Sequence, residues 1–342
     1  MLYLIIFIVA IALLIVYGVA YQQLGLRADK LRFPPPGRMI DLGGYCLHLY
    51  EIGTESPSVV LESGIAASSL NWRPVQTEVA KFARVCSYDR AGLGWSDLCD
   101  QPYTPESLAI QLRLLLQRGA VSPPYILVGH SFGGLVVRAF AEKFPDQTSG
   151  VVLVDPLNPA EWGPFTEEKR RMLTHGIRLS RRGVVAAKIG LVRLSLNLLL
   201  AGNRWIPRMA AKMWSRHASQ VTDRIASQVG KMPEETWPLV ASHWKQSKCF
   251  EGMARHFECL PESIHEMADA QPVLVPVTML VGSQNDHPAD PHLHARRVSA
   301  GTKLIFAEHS GHWIQLDQPD LVIRLIREMV ESVRRKNVVS GV

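Results

Sequence analysis

The hydrophobic pattern along the chain falls into three regimes. From Leu2 to Tyr21 no residue is charged, and Leu4 to Val16 is almost wholly aliphatic. About 20 such residues span a bilayer as a helix, so residues 1–22 are expected to form a single N-terminal transmembrane anchor. A cleaved signal peptide is the competing expectation, because Gly18 and Ala20 are small; against it, the basic leader is missing and the apolar run exceeds a signal core. Residues 23–37 read as a linker ending in Phe33-Pro34-Pro35-Pro36-Gly37, where consecutive prolines oppose helix and favour extended geometry.

From Arg38 the pattern changes to short apolar runs separated by helical ones. Met39–Leu42 and Tyr45–Tyr50 flank Gly43-Gly44 and predict a hairpin. Ser58–Glu62 has the β-branched, unbroken apolarity of a buried strand, and Val85–Asp89, Tyr125–Val128, Val151–Asp155, Val277–Gly282 and Lys303–Ala307 predict further strands. Thr104-Pro105-Glu106 opens a helix striped by Leu108, Leu112, Leu115 and Leu116, and Leu321–Val330 is amphipathic. This alternation predicts an α/β fold with a mainly parallel, doubly wound sheet.

The third regime, residues 157–270, lacks strand-like runs. It offers helical patterns such as Gly183–Leu200 and Pro207–Arg216, and is expected to be a helical cap inserted between two strands. Residues 38–156 and 271–342 would then be the core.

Charge adds little that is specific. The net charge is +6, and the cap alone carries 17 Lys and Arg against 11 Asp and Glu. No basic stripe is interleaved with aromatics, so nucleic acid is not an expected partner; a solvated face or anionic lipid accounts for the excess. Arg27, Lys30 and Arg32 follow the apolar span, which by the positive-inside rule places the large domain on the cytoplasmic side. Five scattered cysteines, without Cys-x-x-Cys spacing, are expected to be reduced and mostly buried. Gly92-Leu93-Gly94 lacks the third glycine and following helix of a dinucleotide fingerprint, and His292 and His294 diverge on a helix, so neither cofactor nor metal is expected.

The stretch with chemical content is Tyr125 to Phe140. An apolar run enters Gly129-His130-Ser131-Phe132-Gly133 and leaves as a helix, the strand, turn and helix context of a nucleophile elbow. A serine hydroxyl needs an adjacent base, itself oriented by a third group. His312, after Gly311 on the loop between the last strand and the last helix, is the expected base, with His309 as its competitor. The acid is expected on the loop after Val277–Gly282: Asp286 first, then Asp290, with Asp155 at the end of an earlier strand third.

In the order Ser131, Asp286, His312, and in the motifs Leu61-Glu62-Ser63-Gly64, Tyr88-Asp89-Arg90-Ala91-Gly92-Leu93-Gly94-Trp95-Ser96, Gly129–Gly134 and Ser310-Gly311-His312, the sequence resembles the α/β-hydrolase superfamily from Arg38 to Arg335. The resemblance implies an oxyanion hole made by the backbone amides of Phe132 and Ile65, although many relatives have His-Gly where this chain has Ser63-Gly64. It also implies acyl transfer through Ser131 rather than epoxide or haloalkane chemistry, whose enzymes carry aspartate at the elbow. The expected substrate is a small lipophilic ester; an acyltransferase, a C–C bond hydrolase and a non-catalytic binding protein of the same fold are the alternatives.

Overall fold

The computed structural model describes residues 1–202, 230–285 and 289–340. The chain forms two compact units, one of residues 36–174 and 255–342, the other of residues 1–35 and 175–254.

The first unit is built on an eight-stranded sheet. Its strands are β1 (Arg38–Asp41), β2 (Cys46–Ile52), β3 (Ser58–Glu62), β4 (Arg84–Tyr88), β5 (Tyr125–His130), β6 (Thr148–Val154), β7 (Val277–Gly282) and β8 (Lys303–Ala307), in the spatial order β1-β2-β4-β3-β5-β6-β7-β8. β1 and β2 form the predicted hairpin, with Gly43 and Gly44 both at φ +97° in its turn. β2 pairs antiparallel with β4, and every pairing from β4 to β8 is parallel.

Strands β3 to β7 are buried on both faces, as their unbroken apolarity requires, whereas edge strand β8 leaves Lys303 and Phe306 exposed. Val60, Leu127, Leu153 and Met279 point into one core, filled by the helices Pro105–Arg118 and Phe132–Lys143. Val59, Val128, Val152 and Leu280 point into the other, filled by Arg73–Val79 and Pro319–Ser340. The two-residue period of the strands therefore sorts one apolar run into two cores. Thr104 caps its helix through a bond from the Ser107 amide, with Pro105 at the first position.

Between β6 and β7 the described chain is helical: Pro159–Trp162, Glu167–Lys188, Leu191–Leu200, Trp237–Trp244 and Ser247–Ala268. Pro207–Arg216 lies outside the described residues. The Gly183–Leu200 pattern is two helices rather than one, bent by 86° at Gly190, which adopts φ +79°.

In the second unit the N-terminal helix runs unbroken from Leu2 to Arg32, 31 residues, and is long and apolar enough to cross a membrane. It thus continues through residues 23–32, where a linker was expected, and ends only where Pro34 to Pro36 forbid it. The cysteines are free: Cys86, Cys99 and Cys249 are buried, Cys46 and Cys259 half-buried.

Candidate active site

Ser131 sits between β5 and the helix Phe132–Lys143 at φ 55° and ψ −122°, a conformation that an L-residue holds at a cost of roughly 1–3 kcal/mol. The surroundings hold it there. Its amide bonds the Val154 carbonyl at 3.1 Å, and its own carbonyl takes the amides of Gly134 at 2.9 Å and Leu157 at 3.1 Å. Gly133 allows the turn to close against the loop after β3: a Cβ there would lie 2.6 Å from the Ser63 carbonyl oxygen and 2.7 Å from that of Glu62. Gly64 also lies close, since a Cβ on it would stand 3.2 Å from Ser131 Cβ.

His312 follows β8 and its Nδ1 lies 2.6 Å from Oδ2 of Asp155. Asp155 directly follows β6 at φ 43° and its side chain is buried. Its Oδ1 accepts the Gly282 amide at 2.8 Å, and Oδ2 also accepts Nδ2 of Asn285 at 2.7 Å. The carboxylate is thus oriented from β7 and its following loop while it faces the imidazole. Among the described residues, Asp155 is the candidate acid bonded to His312. Asp290 instead caps the helix Pro291–Val298 by accepting the His292 amide at 2.9 Å, and Asp286 lies outside the described residues. His309 is exposed in a turn at φ 63°.

His130, immediately before Ser131, ties the nucleophile turn to the base loop. Its Nε2 donates to the carbonyl of His312 at 2.8 Å, and its ring packs against His312 and Trp313 at centroid distances of 4.7 and 4.8 Å. Complete burial, reinforced by the neighbouring His312, holds its pKa well below the ordinary histidine value, so the ring stays neutral.

A second buried group holds the loop after β3. Arg90 pairs with Glu62, both side chains 1% exposed, and donates to the carbonyls of Ser63 and Gly64. Tyr88 donates to the other Glu62 oxygen, and Arg90 Nε reaches His256 Nε2 at 3.0 Å. Burial pushes the Glu62 carboxyl above the usual carboxylate range despite the nearby guanidinium. A trans peptide directs its N–H opposite to its C=O, so by taking the Gly64 carbonyl Arg90 turns the Ile65 amide away from itself. The guanidinium also lies 5.5 Å from the Phe132 ring centre, and Asp89 accepts the Ser69 amide at 2.7 Å at the far end of the same loop. One buried cation therefore touches both stretches that supply the expected amides, Ile65 and Phe132. The sequence signal for Arg90 is slight, an arginine two residues beyond the apolar strand β4, within Tyr88–Ser96.

A serine on a strained strand-to-helix turn, with a His–Asp pair on the neighbouring loops at the carboxyl edge of a parallel sheet, defines the hydrolase class of α/β proteins. The chain belongs to the alpha/beta hydrolase family, whose model matches residues 59–325. Among curated proteins it is 27% identical over 180 residues to the uncharacterized protein YqjL of Bacillus subtilis, covering 49% of this chain and 71% of that one. It is 33% identical over 126 residues to 2-hydroxy-6-oxo-2,4-heptadienoate hydrolase of Pseudomonas putida, covering 34% of this chain and 44% of the relative. The chain thus matches less than half the length of that hydrolase. A solved structure of a putative acyltransferase from Salmonella enterica superposes with a TM-score of 0.65 at 18% identity, over 87% of this chain and 97% of that one, which is a likeness of fold.

Proposed function

We propose that the protein is a serine hydrolase that cleaves a lipophilic carboxylic ester through an acyl-enzyme, with Ser131 as nucleophile, His312 as base and Asp155 as the acid that orients it. The observation that carries this reading is the bond from His312 Nδ1 to Asp155. With Nδ1 donating, the neutral ring keeps its lone pair on Nε2, the nitrogen that takes the Ser131 proton as Oγ attacks the carbonyl carbon. The resulting oxyanion is received by the amides of Phe132 and Ile65, each such donor being worth about 3 kcal/mol. Phe132 is the first residue of its helix, where backbone N–H groups have no intrahelical acceptor. Collapse expels the alcohol, protonated by His312. Water, deprotonated by the same ring, then attacks the acyl-enzyme and releases the acid and free Ser131.

The Leu2–Arg32 helix is read as a single-pass anchor with the catalytic unit on the cytoplasmic side, which suits a lipophilic substrate. A second reading of the chemistry, hydrolysis of a 2-hydroxy-6-oxo-dienoate, rests on the Pseudomonas putida relative. Fluorophosphonate labelling of the wild type and of Ser131→Ala, with turnover of p-nitrophenyl esters of graded chain length and a dienoate control, tests both. Labelling and ester turnover that vanish together in Ser131→Ala support the ester reading. Failure of the folded wild type to label removes it, and turnover of the dienoate alone selects the second reading.

A further inference from the structure

The end of the N-terminal helix nearest Arg32 is built into the second compact unit. A Cβ on Gly18 would lie 2.3 Å from the Ile189 carbonyl oxygen, and one on Gly190 would lie 2.7 Å from that of Gly18, so the two backbones touch. Four residues on, buried Gln22 donates to the Lys245 carbonyl at 2.7 Å and accepts Arg193 Nε at 2.9 Å. Arg193 Nη1 pairs with Asp29 at 2.7 Å, and Asn197 donates to the Tyr21 hydroxyl at 2.8 Å. Residues 18–29 are therefore fastened to Leu191–Leu200 by a polar lock, while the side chains from Leu2 to Val16 stand exposed.

The fastening fixes the depth of Leu191–Leu200. The uncharged stretch Leu2–Tyr21 is about 30 Å long at 1.5 Å per residue, the thickness of a bilayer's hydrocarbon core. Contact with Gly190 begins at Gly18, inside that stretch, and Asn197 meets Tyr21 at its end. The Leu191–Leu200 helix consequently lies at the level where apolar core gives way to headgroups. Its outer side carries Leu191 and Leu194, 45% and 48% exposed. The segment leading into it is basic without relief: residues 175–202 hold Arg178, Arg181, Arg182, Lys188 and Arg193 and no acidic residue. Arg193 is buried and Arg181 pairs with Glu251, while Arg178, Arg182 and Lys188 face solvent, as do Arg27, Lys30 and Arg32. An apolar helix face flanked by exposed cations at interfacial depth is the composition that beds into a headgroup layer carrying negative charge.

We infer that Leu191–Leu200, with the basic turns before it, is a membrane-docking face that lies in the anionic headgroup layer of the same bilayer that takes the N-terminal helix. The inference rests on the anchor reading and goes beyond it: the protein holds the bilayer with a second, interfacial element. The test uses the full chain reconstituted in phosphatidylcholine vesicles with and without phosphatidylserine. A diazirine-bearing amino acid is incorporated at position 11 or at position 194, and photo-crosslinking to lipid is read by mass spectrometry. Both positions are expected to capture lipid, position 194 several-fold more when phosphatidylserine is present. The charge-removing set Arg178→Gln, Arg182→Gln and Lys188→Gln is expected to lower capture at 194 several-fold while leaving capture at 11 unchanged, which also shows that the variant still inserts. Capture at 11 with none at 194 overturns the docking face and spares the anchor. No capture at 11 overturns both, and capture at 194 indifferent to phosphatidylserine and to the three substitutions overturns the anionic headgroup as its partner.

Discussion

Oδ2 of Asp155 serves two donors at once, His312 Nδ1 at 2.6 Å and Asn285 Nδ2 at 2.7 Å. Replacing the acid with its amide keeps the shape and puts a donor where an acceptor is required, which favours the wrong histidine tautomer. Asp155→Asn is expected to lower kcat by roughly 10³–10⁴-fold. Asp286→Asn is expected to stay within a few-fold of wild type. Steady-state rates on one p-nitrophenyl ester settle the comparison, and the reverse ranking would return the acid to the loop after β7.

Arg90 and Glu62 are buried together, so removing one strands the other. Arg90→Met is expected to destabilise the fold by about 3–5 kcal/mol, and Arg90→Met with Glu62→Leu to recover part of that loss. Denaturant melts of the single and double variants measure it. In Glu62→Gln the guanidinium loses its counter-charge and holds the Ser63 and Gly64 carbonyls less firmly, and kcat is expected to fall more than KM changes, because the proposed role of the Ile65 amide is exerted on the transition state.

Gly133→Ala tests how closely the elbow packs. Its Cβ would meet two backbone oxygens at 2.6 and 2.7 Å, and backbone does not rotate aside as a side chain does. A loss of about 1–3 kcal/mol in stability is expected. Slower fluorophosphonate labelling of the fraction that folds should accompany it; a wild-type melt with wild-type labelling would contradict the tight junction.

Acid should destabilise the protein through buried imidazoles. Burial, aided by Arg138 and Arg297, holds His294 down to about 4, whereas an unfolded histidine titrates near ~6.5. Between those values the unfolded chain binds a proton that the folded one refuses, so stability rises with pH across the window and is lost as pH falls through it. Complete burial gives His130 the same sign. Thermal midpoints are expected to drop as pH is lowered through this window, and to drop less steeply in His294→Asn.

Much of this was legible in the sequence, and the exceptions have a common cause. The strands, the hairpin at Gly43-Gly44 and the strand-to-helix turn at Ser131 rest on local pattern, which a linear reading captures. Which carboxylate meets His312 depends instead on the lateral order of β6, β7 and β8 and on φ 43° at Asp155, and neither is written locally. The same holds for the N-terminal helix beyond residue 22: Asp29 and Gln22 are fixed by Arg193, a partner far away in sequence. Arg90 escaped because an arginine in a glycine-rich motif looks like surface until Glu62 is seen beneath it.

Ser131 and Asp155 close adjacent strands, joined by the bond from the Ser131 amide to Val154, and the long helical insertion starts only after Pro156. Two of the three proposed catalytic groups are therefore encoded before the insertion begins, and the third after it has ended. An evolving lineage that keeps His256, which meets Arg90, can lengthen, shorten or replace the rest of that tract and leave the proposed reacting groups in register. Leu157, bonded to the Ser131 carbonyl, marks the point where that freedom begins.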